Sequence, residues 1–239
     1  MPVYGWRRRI ALMVPYDNTV IEPEFARTLP WGVSSHVIRS TSTDRKELAE
    51  ESLRLAPAIR HLGAQVALYA CNASSFMQGR AWHDDFLARF EAAAGIPSES
   101  ATSVVVKLVA HLGLKNVVLV TPYPEWLLDP LRRFFADSGL GVAHVVGLGL
   151  EPPEINRLGP EGAYRAALAA DRPEADGVFI LATNFRTLEI LPILQAELGK
   201  PVMSTNQALM WAARRRLGLP ERDLVERAEP PAAWPPVGG

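Results

Sequence analysis

The sequence has one cysteine, Cys71, among its 239 residues. An internal disulfide and a cysteine-based zinc site are thereby excluded. No apolar run approaches the ~18 residues of a membrane-spanning helix. The first nine residues also lack the apolar core of a signal peptide. A soluble, cytoplasmic protein with no membrane partner is expected. Charge of one sign is lacking too: the net charge is −1. The basic runs Arg7-Arg8-Arg9 and Arg214-Arg215-Arg216 are short, so nucleic acid is not an expected partner. There is no phosphate-binding GxxxxGKS or GxxxxGKT. Gly147-Leu148-Gly149 lacks the third glycine of a dinucleotide turn, and no G-x-S-x-G elbow is present. The histidines, His36, His61, His83, His111 and His144, show no metal-ligand spacing, so no metal is expected.

What is present is an apolar fraction of 48% and a regular alternation of short buried strands with helices. Strands are expected at Arg9–Val14, Ser35–Arg39, Val66–Tyr69, Asn116–Val120, Ala143–Gly147 and Gly177–Leu181. Helices are expected between them, including one capped by Thr43-Asp44 that runs through Arg60. Ser98–Ser103 reads as a polar loop, and Glu22/Glu24 as helix N-terminal charges. This order implies an α/β fold with parallel sheets. A faint repeat supports two similar lobes. Pro15-Tyr16 recurs as Pro122-Tyr123, Cys71-Asn72 corresponds to Ala182-Thr183, and Pro97 to Pro201, at separations of 107, 111 and 104 residues. The expected organisation is an α/β lobe over 1–105, a second over 106–217, with the C-terminal helix able to exchange between lobes, and a Pro-rich tail over 218–239.

The stretch from Val66 to Phe76 reads as a buried strand running into a small polar loop, with Cys71 where the strand stops. Ligands of open α/β sheets bind beyond the carboxyl ends of the strands. A thiol there, beside backbone N–H groups, can act as a thiolate of lowered pKa; a small packed core residue is the other reading of the same cysteine. Around it the strand ends carry Tyr16, Asp17, Asn18, Asn72, Ser74, Tyr123, Thr183 and Asn184. Amides and phenols can hold a carboxylate by donating to its oxygens. For any single Asn the alternative is turn chemistry.

These residues form a wider pattern. Gly5-Trp6-Arg7-x-Arg9-Ile10, Val14-Pro15-x-x-Asn18-Thr19-x-x-Glu22-Pro23-Glu24, Ala70-Cys71, Thr121-Pro122-Tyr123, Asn156-Arg157-Leu158-x-Pro160-Glu161 and Thr183-Asn184-x-Arg186-Thr187-Leu188 resemble maleate cis-trans isomerases. That family lies in the aspartate/glutamate racemase superfamily, with the arylmalonate decarboxylases. The resemblance implies two pseudo-symmetric Rossmann-like, flavodoxin-like lobes with the active site between them. It also implies no cofactor, a small dicarboxylate as ligand, and a homo-oligomer. It places the attacking cysteine at Cys71 and the carboxylate-binding residues at Asn18, Tyr123 and Asn156; Asn72, Thr183 and Asn184 are further candidate substrate-binding residues from their strand-end positions. The family's second cysteine falls on Ala182. Racemases of the superfamily use two thiols, and arylmalonate decarboxylases keep only the second. An isomerase impaired by Ala182 is therefore the implied activity. The alternatives are a one-thiol decarboxylase or racemase-like enzyme on another small carboxylic acid, and a non-catalytic dicarboxylate binder.

Overall fold

The apolar run Ile10–Val14 is buried on both faces, as a central parallel strand must be. It belongs to β1 (Arg8–Val14), and the computed structural model describes residues 4–220 around it. The expected Pro-rich tail lies outside the described residues from 221 on. In chain order β1 is followed by α1 (Ile21–Thr28), β2 (Val33–Arg39), α2 (Arg45–Leu55), β3 (Val66–Tyr69), α3 (Asn72–Phe76), α4 (Arg80–Ala94), β4 (Ser98–Ser100) and α5 (Ala101–His111). The second half runs β5 (Asn116–Thr121), α6 (Leu128–Asp137), β6 (Gly141–Gly147), α7 (Pro152–Ile155), α8 (Pro160–Ala170), β7 (Gly177–Ile180), α9 (Leu191–Leu198), β8 (Val202–Ser204) and α10 (Thr205–Arg216).

Two four-stranded parallel sheets result, ordered β2-β1-β3-β4 and β6-β5-β7-β8. The two orders are the same, and so are the registers of the inner strand pairs, although a bulge at Val117/Val118 shifts the β5–β6 pairing relative to β1–β2. Ile10 pairs with Val66 and Val117 with Gly177. Ala67 pairs with Ser98 and Val178 with Val202. Superposing the two halves on these pairs reproduces the separations of 107, 111 and 104 residues noted in the sequence, and sets Cys71 equivalent to Ala182. The molecule is two pseudo-symmetric α/β lobes.

Three local expectations are corrected. The helix opened by Asp44 ends at Leu55, and Ala56–Leu62 continues as a 3-10 turn. Pro57 has no N–H to donate back into an α-helix and crowds the preceding turn. Ser98–Ser100 is a strand rather than loop: it is buried, and it pairs with β3 although it carries no apolar residue. Its Glu99 is neutralised by Lys107 and by Arg216 of α10. The polar residues after Cys71 form a short helix, α3, not a loop.

The lobes are clamped by buried polar contacts. α10 begins after the last strand of the second sheet, yet it packs on β3 and β4 of the first and along α5. Glu24 lies in the first turn of α1, as its reading as a helix N-terminal charge implies, but a charge there is ordinarily solvated. It is instead buried, and accepts from the Thr187 and Leu188 backbone N–H groups at 3.1 and 3.2 Å and from Asn206 Nδ2 at 2.7 Å. Burial pushes its carboxyl up, and the three donors oppose that. Glu24→Ala leaves those donors buried and unpaired, so stability is expected to fall by about 3 kcal/mol. Urea midpoints of the two proteins measure this; an unchanged midpoint would mean the clamp contributes nothing.

Candidate active site

Cys71 lies two residues beyond the end of β3, as the N-cap residue of α3, and the short helix follows because small residues, Ala73-Ser74-Ser75, permit a tight turn against α5. The thiol is buried but lines a cavity of about 70 Å³ between the lobes. The walls from the first lobe are Pro15–Asn18, Thr43, Arg45, Leu48 and Cys71–Ala73; those from the second are Tyr123, Pro152, Ile155 and Ala182–Asn184. Cys71 and Ala182 therefore meet one cavity from opposite lobes. Ala182 has φ +117°, and it is the one non-glycine residue with positive φ among the described residues. Such a conformation costs an L-residue energy and marks sites where the surroundings over-determine the backbone. Here Leu181 N–H donates to Val120 O at 2.7 Å on one side of Ala182, and Thr183 O accepts from Asn206 Nδ2 at 3.1 Å on the other.

The polar residues divide into two groups. Asn18, Thr183 and Asn184 are spent largely on the fold. Asn18 Oδ1 accepts from the Val20 and Ile21 N–H groups, opening α1, while its Nδ2 donates to Thr183 Oγ1 at 2.9 Å. Thr183 Oγ1 in turn donates to Ala70 O at 2.8 Å. Asn184 Oδ1 accepts from Thr19 N–H at 2.9 Å, and its Nδ2 donates to Asp17 O and to Asn156 Oδ1. Together they bracket the lobes beside the cavity. Asn156 is exposed, reaches Asn184, and is not among the cavity walls. Asn72 is buried and points its Nδ2 to Thr102 of α5 at 3.5 Å. The second group faces the cavity with donor capacity to spare. Burial holds the Tyr123 phenol far above its usual pKa, so it remains an O–H donor.

Cys71 departs from expectation in its ionisation. Ser74 stabilises the thiolate through both its hydroxyl and its N–H, yet burial outweighs this and pushes the thiol up; the charge of Asp17 adds to the rise, and Arg45 opposes it. The resting group at neutral pH is a thiol. A five-residue helix offers few aligned N–H groups, whereas full burial acts on the whole charge.

Arg45 is a wall residue with no counterpart in the sequence reading. It opens α2, contacts Glu151 at 3.5 Å and lies 5.2 Å from the Trp126 ring centroid, so it spans the mouth between lobes. Only the cap at Asp44 marks it in sequence. The loop that delivers it, 40–44, is pinned by Glu51, which accepts from Ser40 Oγ, Thr41 N–H and Oγ1 and Ser42 N–H. Those donors hold the Glu51 carboxyl down at about 2. Its pKa is lower folded than unfolded, so its stabilisation is full above the ordinary carboxylate range and is lost as pH falls towards about 2. Glu51→Gln should flatten the acid limb of a urea-midpoint-versus-pH curve. An acid limb of unchanged steepness would argue against the pinning. Among the described residues no cluster of three His, Cys, Asp or Glu is placed to hold a metal, and no helix is long and apolar enough to cross a membrane.

The fold and this cavity define a two-lobed α/β protein with one thiol at its interlobe cleft. The sequence model of the arylmalonate decarboxylase family matches residues 10–226, and the chain belongs to that family. It is 24% identical over 231 residues to a maleate isomerase of Geobacillus stearothermophilus, covering 88% of this chain and 92% of that protein. It is 26% identical over 212 residues to an arylmalonate decarboxylase of Bordetella bronchiseptica, covering 86% of each. A solved Nocardia farcinica maleate cis-trans isomerase, a Cys-to-Ser variant with a covalently bound succinylcysteine intermediate, has the same fold: TM-score 0.83 at 23% identity, covering 89% of this chain and 94% of that one.

Proposed function

We propose that this protein is a cofactor-independent cis-trans isomerase of a small dicarboxylate of the maleate type, acting through Cys71. The observation that carries this reading is the single thiol on the first lobe, facing a cavity whose opposite wall has alanine at the equivalent position. The arylmalonate decarboxylase pattern has its thiol at the other of these two positions, which favours the isomerase of the two chemistries. The maleate isomerase relatives support the same choice.

The reaction starts from an electron-poor alkene. Cys71 sulfur bonds to one alkene carbon, and the π pair moves to the other carbon and into its carboxylate. The former double bond is now single and rotates. Expulsion of sulfur then re-forms the double bond in the trans geometry. Arg45 at the mouth is suited to one carboxylate as a fixed charge, and the Tyr123 hydroxyl to the other as a neutral donor whose hydrogen bond strengthens when enolate charge develops. The second free hydrogen of Asn18 Nδ2 adds a donor. Asn156, Asn72, Thr183 and Asn184 serve chiefly by holding the lobes and the loops in register. With Ala182 in place of a second thiol, one acid–base group is missing, so turnover is slow.

Proton NMR of the protein with maleate, aspartate, glutamate and an arylmalonate tests the reading. Conversion of maleate to fumarate is expected, and no change in the other three. Decarboxylation of the arylmalonate, or racemisation of an amino acid with maleate untouched, would overturn it. Arg45→Met should raise KM for maleate by about tenfold or more with a smaller change in kcat, since an ion pair that holds substrate and transition state alike acts on binding. An unaltered KM would remove Arg45 from the site.

A further inference from the structure

The thiol at Cys71 is protonated at rest, and a neutral thiol is a poor nucleophile. Something in the cavity has to take its proton. The titratable and charged groups that face Cys71 or act on it are Tyr69 of β3, Tyr16 and Asp17 from the β1–α1 loop, Arg45 from α2 and Tyr123 from beyond β5, while Arg39 at the end of β2 acts on Asp17. Arginines are not bases at these pH values, and Arg39 is paired with Glu22. The three phenols are pushed up and stay protonated. Asp17 is the one carboxylate on the cavity wall.

Its placement follows from the sheet. β1 and β3 are hydrogen-bonded neighbours in register, Met13 opposite Tyr69. Asp17 leaves β1 four residues beyond that pair, and Cys71 leaves β3 two residues beyond it. Both emerge at the carboxyl edge into one cavity. The loop is held there from the opposite lobe, because Asp17 O accepts from Asn184 Nδ2 at 3.3 Å. The carboxylate is half-buried and feels Cys71 and Tyr123 electrostatically.

We propose that Asp17 is the catalytic proton carrier for Cys71, an inference that rests on the thioether reading above. Asp17 takes the Sγ–H proton as sulfur bonds to the alkene carbon. It gives the same proton to the adjacent carbon, which bears the displaced electron pair, and a succinyl thioether results. After rotation it removes a proton from that carbon, the double bond re-forms, the carbon–sulfur bond breaks, and the proton returns to sulfur. Atoms and charge balance with no outside acid or base. Burial raises the Asp17 carboxyl above its ordinary pKa, which narrows its gap to the thiol and makes it a better base and a usable acid.

The test uses the single cysteine as its own reporter. N-ethylmaleimide adds to a thiol by the same carbon–sulfur bond formation, and intact mass follows it. Addition is measured on the native protein, Asp17→Asn and Asp17→Glu from about pH 5 to about pH 9, spanning ordinary carboxylate and thiol titrations. Native addition is expected to rise with ionisation of a carboxylate and to exceed that of D17N by about 10²-fold at neutral pH. The two should converge at alkaline pH, where the thiol ionises unaided, and D17E should recover part of the loss. A merely electrostatic neighbour predicts the reverse: loss of the negative charge lowers the thiol pKa, and D17N reacts as fast or faster. That result, or a native profile without a carboxylate titration, overturns the proposal, and the native profile is read even if D17N misfolds. Maleate turnover is scored separately. Asp17-dependent maleimide addition without maleate conversion refutes the isomerase and leaves Asp17 standing; maleate conversion that D17N does not slow refutes Asp17 alone.

Discussion

Cys71→Ser is expected to lower maleate-to-fumarate conversion by about 10⁴-fold or more, the scale on which loss of a covalent nucleophile acts. The reason is chemical rather than steric. Serine keeps the position and nearly the size of the side chain, but its hydroxyl is a far weaker nucleophile towards an alkene and far harder to deprotonate. No other nucleophile takes over, because the Ser74 hydroxyl is committed to Tyr69 Oη at 2.5 Å and Ser75 to Cys71 O. Binding should survive: Arg45 and Tyr123 are untouched, so calorimetry should detect maleate on the serine variant with an affinity close to that of the native protein. Substantial turnover by the serine variant would exclude the thioether route and point to Cys71 as a packing residue.

Ala182→Cys is expected to raise turnover by about 10²-fold, the lower end of what acid–base assistance contributes. Residue 182 is equivalent to Cys71 in the pseudo-symmetric halves, and both line the cavity. The backbone there already holds φ +117°, so the substitution adds a thiol to a conformation the lobe maintains for alanine. The lower end applies because Asp17 handles the proton on the first lobe's side; the new thiol supplies one from the second. A double variant, Cys71→Ser with Ala182→Cys, should fall back to the level of Cys71→Ser, since the two thiols have different tasks. No gain from Ala182→Cys would mean that the second position is idle in this protein.

Much of the fold was legible in the sequence because it depends on near neighbours. Buried apolar runs such as Ile10–Val14 and Val66–Tyr69 have one good place, the middle of a parallel sheet. Gly63, Gly95 and Gly199 end helical segments in left-handed conformation. The repeat offsets are visible because two lobes with one strand order need their strand ends at matching intervals. The single thiol and the missing one at Ala182 are likewise facts of the chain. What depends on distant partners was not legible. Ser98–Ser100 carries no apolar pattern and becomes a strand only because β3 offers it an edge and Lys107 and Arg216 neutralise Glu99. Glu24 looks like any acidic residue in a first helical turn, until Thr187, Leu188 and Asn206, more than 160 positions away, supply its donors. Asn18, Thr183 and Asn184 have the composition of a carboxylate site, and only the tertiary structure spends most of their hydrogen bonds on joining the lobes. The state of Cys71 was decided there as well. A helix start argues for a lowered thiol pKa, but the burial that raises it comes from walls on both lobes. Ionisation depends on the whole dielectric surroundings of a group, and those exist only once the two halves have closed around it.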